Sequence, residues 1–215
     1  MTVTVDPPTG PAHTPDPVAC DVRVLDAATV LEEVVTHRRI AQECEARVVM
    51  LAVHYVDLHP VTPEHPAASA GTRDRLLIDR EPDLDSITAG ESLAGDGTPG
   101  IAEYAVEELG AVLEVPYLTA YGLCADSVAV CYRLPRLWER LHAGLVPAWQ
   151  ARLVARETHG LSVEMVGFVD RQVAILIDRR RFPTLRVLRD LVHEARLRMD
   201  PDHEHGACQV FCVGG

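Results

Sequence analysis

YRLPRLWERLHAGLVPAWQARLVARETHGLS, residues 132–162, carries its own punctuation. Pro135 opens an amphipathic run, PRLWERLHA, which Gly144 closes, and Pro147 opens a second, PAWQARLVARETH, which Gly160 closes. Ser162 then stands ready to cap a third, expected to reach about Asp178. Proline suits a helix start because its missing N–H has no intrahelical partner there. Glycine suits the residue just past the end, where the backbone turns left-handed. Successive helices with such short connections predict an all-α fold.

The same grammar extends in both directions. Pro183 opens PTLRVLRDLVHEARLRM, which stops at Asp200-Pro201, and Pro116 restarts a helix through Leu118, Leu123, Val128 and Cys131. Thr98-Pro99 offers an N-cap and a first-turn proline before the stripe Ile101, Tyr104, Ala105, Leu109, Val112 and Leu113. A long helix is predicted from Ala27 to Leu58, ending before His59-Pro60. Its expected apolar face is Val30, Leu31, Val34, Val35, Ala41, Cys44, Val48, Leu51, Ala52 and Tyr55.

The layout that follows is a helical bundle of about six to seven helices. Residues 1–22, rich in Pro, Thr and Asp, are expected to be a disordered tail. The long helix occupies 23–59, and a Pro/Gly-rich linker fills 60–97, with one short ordered piece around Arg75 to Ile78. The helical domain proper spans 98–200, and a divergent tail covers 201–215. No internal repeat of fixed period is present.

Composition agrees with a globular chain: 47% hydrophobic and 24% charged residues among 215. The longest apolar run, Val48 to Val53, falls far short of the ~20 residues a membrane span needs. The opening MTVTVDPPTGPAHTPDP has neither the basic nor the apolar region of a secretory signal. A cytoplasmic location and no membrane partner are expected. The six cysteines form no C-x-x-C pair and read as free thiols, with Cys124 and Cys131 in the core. His54, His59 and His65 lie on or beside the linker, and nothing in the sequence makes them converge.

Charge is distributed unevenly. The net charge is −12, yet residues 131–200 hold 13 Arg against 8 acids, while residues 1–130 hold 7 Arg against 22 acids. A basic second half can meet a phosphate backbone even in an acidic chain. The helix pair at 135–160 offers a helix-turn-helix in which Gln150, Arg152 and Arg156 face a groove, with Trp149 and Leu153 anchoring beside Trp138. An ordinary αα-hairpin with solvated polar groups fits the same spacing. Arg133, Arg136 and Arg140 would extend the basic face, and Arg179, Arg180 and Arg181 would clamp a phosphate at an inter-helix junction.

Four segments taken in order carry a likeness to one family: TPGIAEYAVEELGAVLEV (98–115), the opening stretch 132–162, GFVDRQVA (167–174) and LVHEARLRMDP (191–201). They resemble the thirteen-E-twelve repeat family of actinobacteria, whose N-terminal region is a domain of unknown function. The resemblance implies a helical region that in longer members precedes a C-terminal HNH nuclease domain. Here only fourteen residues follow Pro201, and the chain has no Asn, so an HNH site is not expected and no catalytic residue is assigned. The expectation is therefore a non-catalytic helical domain that binds DNA through its Arg-rich half. The alternatives are one part of a split or truncated HNH endonuclease, and a structural protein that pairs with a copy of itself through the 27–58 helix. No cofactor is expected, a divalent metal entering only with a separately supplied HNH domain.

The tail MDPDHEHGACQVFCVGG (199–215) places His203, His205, Cys208 and Cys212 within ten residues. Four such ligands would complete a tetrahedral zinc site, but the ligand pairs lack the intervening loop that structural sites use. The tail reads as the place where the family pattern is lost rather than as a metal site.

Overall fold

The computed structural model describes residues 22–69 and 92–199. Among these residues there are seven α-helices and no β-strand, the extended backbone contributing only isolated bridges. The helices are α1 (Ala27–Leu58), α2 (Glu103–Val112), α3 (Tyr117–Val128), α4 (Pro135–His142), α5 (Ala148–Glu157), α6 (Val163–Asp178) and α7 (Leu185–Met199). The fold is the predicted all-α bundle. No helix among the described residues is long and apolar enough to cross a membrane. The expected short ordered piece at Arg75 to Ile78 and the His/Cys tail lie outside the described residues.

The chain divides into two compact units, residues 1–40 and 41–215. In the first, Asp26 caps α1: its Oδ1 accepts the Thr29 N–H at 2.8 Å, which draws the Asp26 carboxyl below its ordinary range. Val30, Leu31, Val34 and Val35 are all exposed there.

In the second unit, α1 buries Ala46, Val49, Ala52, Val53 and Val56. The expected apolar face is thereby corrected, because Cys44, Val48 and Leu51 stay exposed. Apolar residues occur on two sides of this helix, and periodicity alone does not choose between them. The end of α1 packs with α2 and α3 in one cluster around Val56, Ile101, Val106, Ala120 and Val128. The expected linker also contributes to this cluster. Ala68 and Leu93 are buried in it, and the Ala68 N–H donates to the Ile101 carbonyl at 2.7 Å.

Thr98-Pro99 does not start α2. Thr98 instead closes a turn, its hydroxyl accepting the Ala94 N–H at 3.0 Å and donating to the Gly95 carbonyl at 2.7 Å. The helix begins at Glu103 behind an Ala102 N-cap without a side-chain bond. The other boundaries follow their punctuation closely. Gly144 and Gly160 take positive φ, 68° and 77°, and Ser162 accepts the Met165 N–H at the start of α6. At the last helix the cap is Thr184 rather than Pro183, its hydroxyl accepting the Val187 N–H at 3.4 Å.

The junction between α3 and α4 organises the larger core. Pro135 has no N–H to continue a helix, and its ring crowds the carbonyl four residues back. Leu134 is pushed out of the helical region, to φ −125° and ψ 59°, and residues Ala129–Arg133 open into a π turn. Pro135 then starts α4, whose free N–H groups at Arg136 and Leu137 donate to the Asp170 carboxylate of α6 at 3.1 and 3.0 Å. Around this contact pack Leu134, Leu137, Leu141, Val154, Val166, Val169 and Val173, with Leu188 and Val192 of α7 closing the far side.

Asp170 is buried, which raises its carboxyl above the ordinary 3.8 against the pull of the two N–H bonds and of Arg136 and Arg140. The folded chain therefore holds that proton more tightly than the unfolded one does. This contribution to stability is complete below 3.8 and is lost as pH rises through the raised value. Asp170→Ala should lower unfolding stability by roughly 2–3 kcal/mol, since two buried N–H groups lose their acceptor. Asp170→Asn should cost less and flatten the decline just above pH 3.8. Urea midpoints measured across the acid range check both.

Candidate nucleic-acid interface

Arginine placement in the second half follows from where the fold puts the acids. Asp126 sits in α3 within the apolar run LCADSVAV, its side chain 9% exposed, and α5 crosses it. Its Oδ2 accepts Arg152 Nε at 2.9 Å and Arg156 Nε at 2.8 Å. Two guanidinium groups on one carboxylate satisfy its buried lone pairs and leave one net positive charge. Both arginines expected to read a groove are thus directed at α3. Gln150 is half-buried, and Trp149, expected as an anchor, is instead 57% exposed. The packing role falls to Leu153, which lies against the core together with Trp138. The α4–α5 pair is an αα-hairpin whose second helix has its arginines engaged within the bundle.

Arg140 is likewise engaged. Its Nε and a terminal nitrogen grip Asp178 at 2.9 and 2.6 Å, and the other terminal nitrogen donates to the Arg136 carbonyl at 2.8 Å. This pair holds the Asp178 carboxyl below its ordinary value. On α7, Arg189 meets Glu157 at 3.0 Å, and Arg198 meets Glu194 at 2.5 Å while lying over the Phe168 ring.

Arg133 leaves the expected basic face altogether. Only 7% of it is exposed, and its terminal nitrogens donate to the Ala94 carbonyl, at 2.7 Å, and to the Leu161 carbonyl. Its Nε has no hydrogen-bond partner. Burial draws the guanidinium below its ordinary value, and the nearby Asp96 charge opposes this. Gly95 is required beside it: a Cβ there would lie 2.9 Å from an Arg133 terminal nitrogen, at a φ of +96° that other residues resist.

What remains is a smaller set. Arg136, Arg171, Arg179, Arg180, Arg181, Arg186 and Arg196 make no direct ion pair among the described residues, and all seven are exposed. Arg136 and Arg171 share a cleft of about 280 Å³ with Asp96, Tyr132, Val163 and Asp170, over the buried Arg133. Arg171 lies across Gly167, its terminal nitrogen 3.7 Å from where a Cβ would stand. Arg179 to Arg181 form the turn after α6, with Arg180 at φ 56°. The cleft can accept an anion between two exposed guanidinium groups, although the Asp170 charge competes with it.

Two features escaped the sequence reading. Asp126 holds two arginines and Asp170 caps α4, and their signal is an acid embedded in an apolar helical run, as in GFVDRQVAIL. His59 and His65, which nothing in the sequence brings together, both abut the Tyr104 ring, at centroid distances of 5.9 and 4.9 Å. Among the described residues, no three His, Cys, Asp or Glu side chains gather as a metal site. Comparison with protein-family models, with curated proteins and with solved structures finds no match.

The placement of Arg133 generates a test that separates structure from binding. Arg133→Met should cost about 2–4 kcal/mol of unfolding stability, because it strands two buried carbonyls. Arg133→Lys should recover little, since one ammonium cannot span both acceptors as the planar fork does. Thermal melts of the two variants give the answer, and equal stability of Lys and Arg at this position would contradict it.

Proposed function

We propose that this chain is a non-catalytic helical module of the thirteen-E-twelve kind, and that it binds DNA through the phosphate backbone. The supporting observation is the division of its arginines. Arg140, Arg152, Arg156, Arg189 and Arg198 are held by acids of the same unit, whereas Arg136, Arg171, Arg179 to Arg181, Arg186 and Arg196 remain exposed without one. These seven project from α4, α6, the turn that follows it and α7. Free guanidinium groups on an acidic chain of net charge −12 orient an approaching polyanion toward the half that carries them.

On this reading the contacts are to phosphates rather than base edges, because the helix with groove-reading residues, α5, has its arginines on Asp126. Binding is then insensitive to sequence, micromolar or weaker at physiological salt, and strongly salt-dependent. With about three to five phosphate contacts, the slope of log affinity against log salt is roughly −2.7 to −4.5.

Fluorescence anisotropy with a short labelled duplex, titrated at several salt concentrations, tests this. The double variant Arg136→Glu/Arg171→Glu should weaken binding about tenfold or more and flatten the salt slope by about two. Arg152→Ala/Arg156→Ala should change the slope little. Absence of binding to duplex and single-stranded DNA at low salt overturns the proposal.

A further inference from the structure

One buried charge in the second unit lacks a counter-charge. The terminal nitrogens of Arg133 reach only main-chain carbonyls, and its Nε has no hydrogen-bond partner. No carboxylate pairs with it among the described residues, and Asp96 acts on it only from beyond ion-pair distance. A guanidinium cannot shed its proton in a protein, so the charge stays, and burial makes a missing anion costly.

The cleft above Arg133 is where an anion can stand. The two carbonyls that Arg133 holds belong to the segments that wall this cleft. Ala94 leads into Asp96-Gly97, and Leu161 leads into Val163. Arg136, at the start of α4, and Arg171, on α6, line the same space from exposed positions. Val163 brings the N-terminal end of α6, with its partial positive charge, to the cleft as well. Two acids are present too. Both oxygens of Asp170 are already taken by the N–H groups of Arg136 and Leu137, and Asp96 is exposed to solvent. Three guanidinium groups therefore outnumber two carboxylates around a space of about 280 Å³.

We propose that this cleft binds a phosphomonoester, a phosphate with a single ester link. Such a group carries nearly two negative charges at neutral pH, and its three free oxygens match guanidinium donors. A phosphodiester within a strand carries one charge and a sugar on either side, which keeps it at the rim. The site goes beyond backbone binding and shares only Arg136 and Arg171 with it. Two sources offer this chemistry, the phosphorylated end of a nucleic-acid strand and a small phosphorylated molecule.

Isothermal titration calorimetry on the full chain at low salt, with deoxyadenosine 5′-monophosphate and deoxyadenosine as probes, tests the site. The monophosphate should bind and the nucleoside should not. Arg136→Gln and Arg171→Gln should each weaken binding roughly tenfold, the loss of one charge-assisted contact. Val163→Trp, at an exposed position, fills the cleft without altering charge. It should abolish monophosphate binding, keep the helical circular dichroism and leave duplex binding unchanged. A short single strand with a 5′-phosphate that binds about tenfold tighter than its 5′-hydroxyl twin assigns the cleft to strand ends. Equal affinity of the twins, with the monophosphate still bound, assigns it to a small phosphorylated molecule. Failure of the monophosphate to bind overturns the proposal, as does binding indifferent to Val163→Trp and to both arginine variants. Duplex binding without monophosphate binding overturns this site alone and leaves the backbone reading standing.

Discussion

The second half of this chain depends on one backbone restriction, the proline at 135. Because Pro135 can neither donate an N–H nor tolerate a helical residue before it, α3 cannot run on into α4. The chain widens into a π turn over Ala129–Arg133, and Arg133 is carried into the interior. There it ties the Ala94 carbonyl of one loop to the Leu161 carbonyl ahead of α6. On the other side of the proline, the exposed N–H groups of α4 require an acceptor, and Asp170 supplies it from the middle of α6. One local constraint thus ties together segments distant in sequence through polar contacts that burial makes costly to lose.

The same logic decides which positive charges reach the surface. A carboxylate brought across the bundle attracts the nearest guanidinium, and the buried Asp126 takes two, both from α5. Asp178 takes Arg140, and Glu157 takes Arg189. Of the 13 arginines in residues 131–200, only part is therefore free on the solvent side, at the start of α4, on α6, in the turn beyond it and on α7. Any ligand of this half meets that residue of charge rather than the whole.

Helix boundaries were largely legible from residues alone. Pro135, Gly144, Gly160 and Ser162 act within one turn of themselves, through a missing N–H, a permitted φ or a hydroxyl that bonds three residues on. Where the reading failed at a boundary, another bond competed: Thr98 caps no helix because its hydroxyl closes the turn that buries Leu93 and Ala94. The interface residues were less legible. Arg133, Arg136 and Arg140 look alike in a string at helical spacing, yet one is buried, one exposed and one paired with Asp178, 38 residues away.

By itself, then, the amino-acid sequence determined an all-α chain, the approximate extent of its helices and a basic second half, because these follow from neighbours within a few residues and from simple counts. Tertiary structure alone decided which side of α1 enters the core, since that helix is apolar on two sides and only packing against the two buried clusters selects one. It also decided which arginines are free, since an ion pair needs a partner brought across the bundle by the fold. Spacing along a helix names a face, but what stands opposite that face is settled by the rest of the chain.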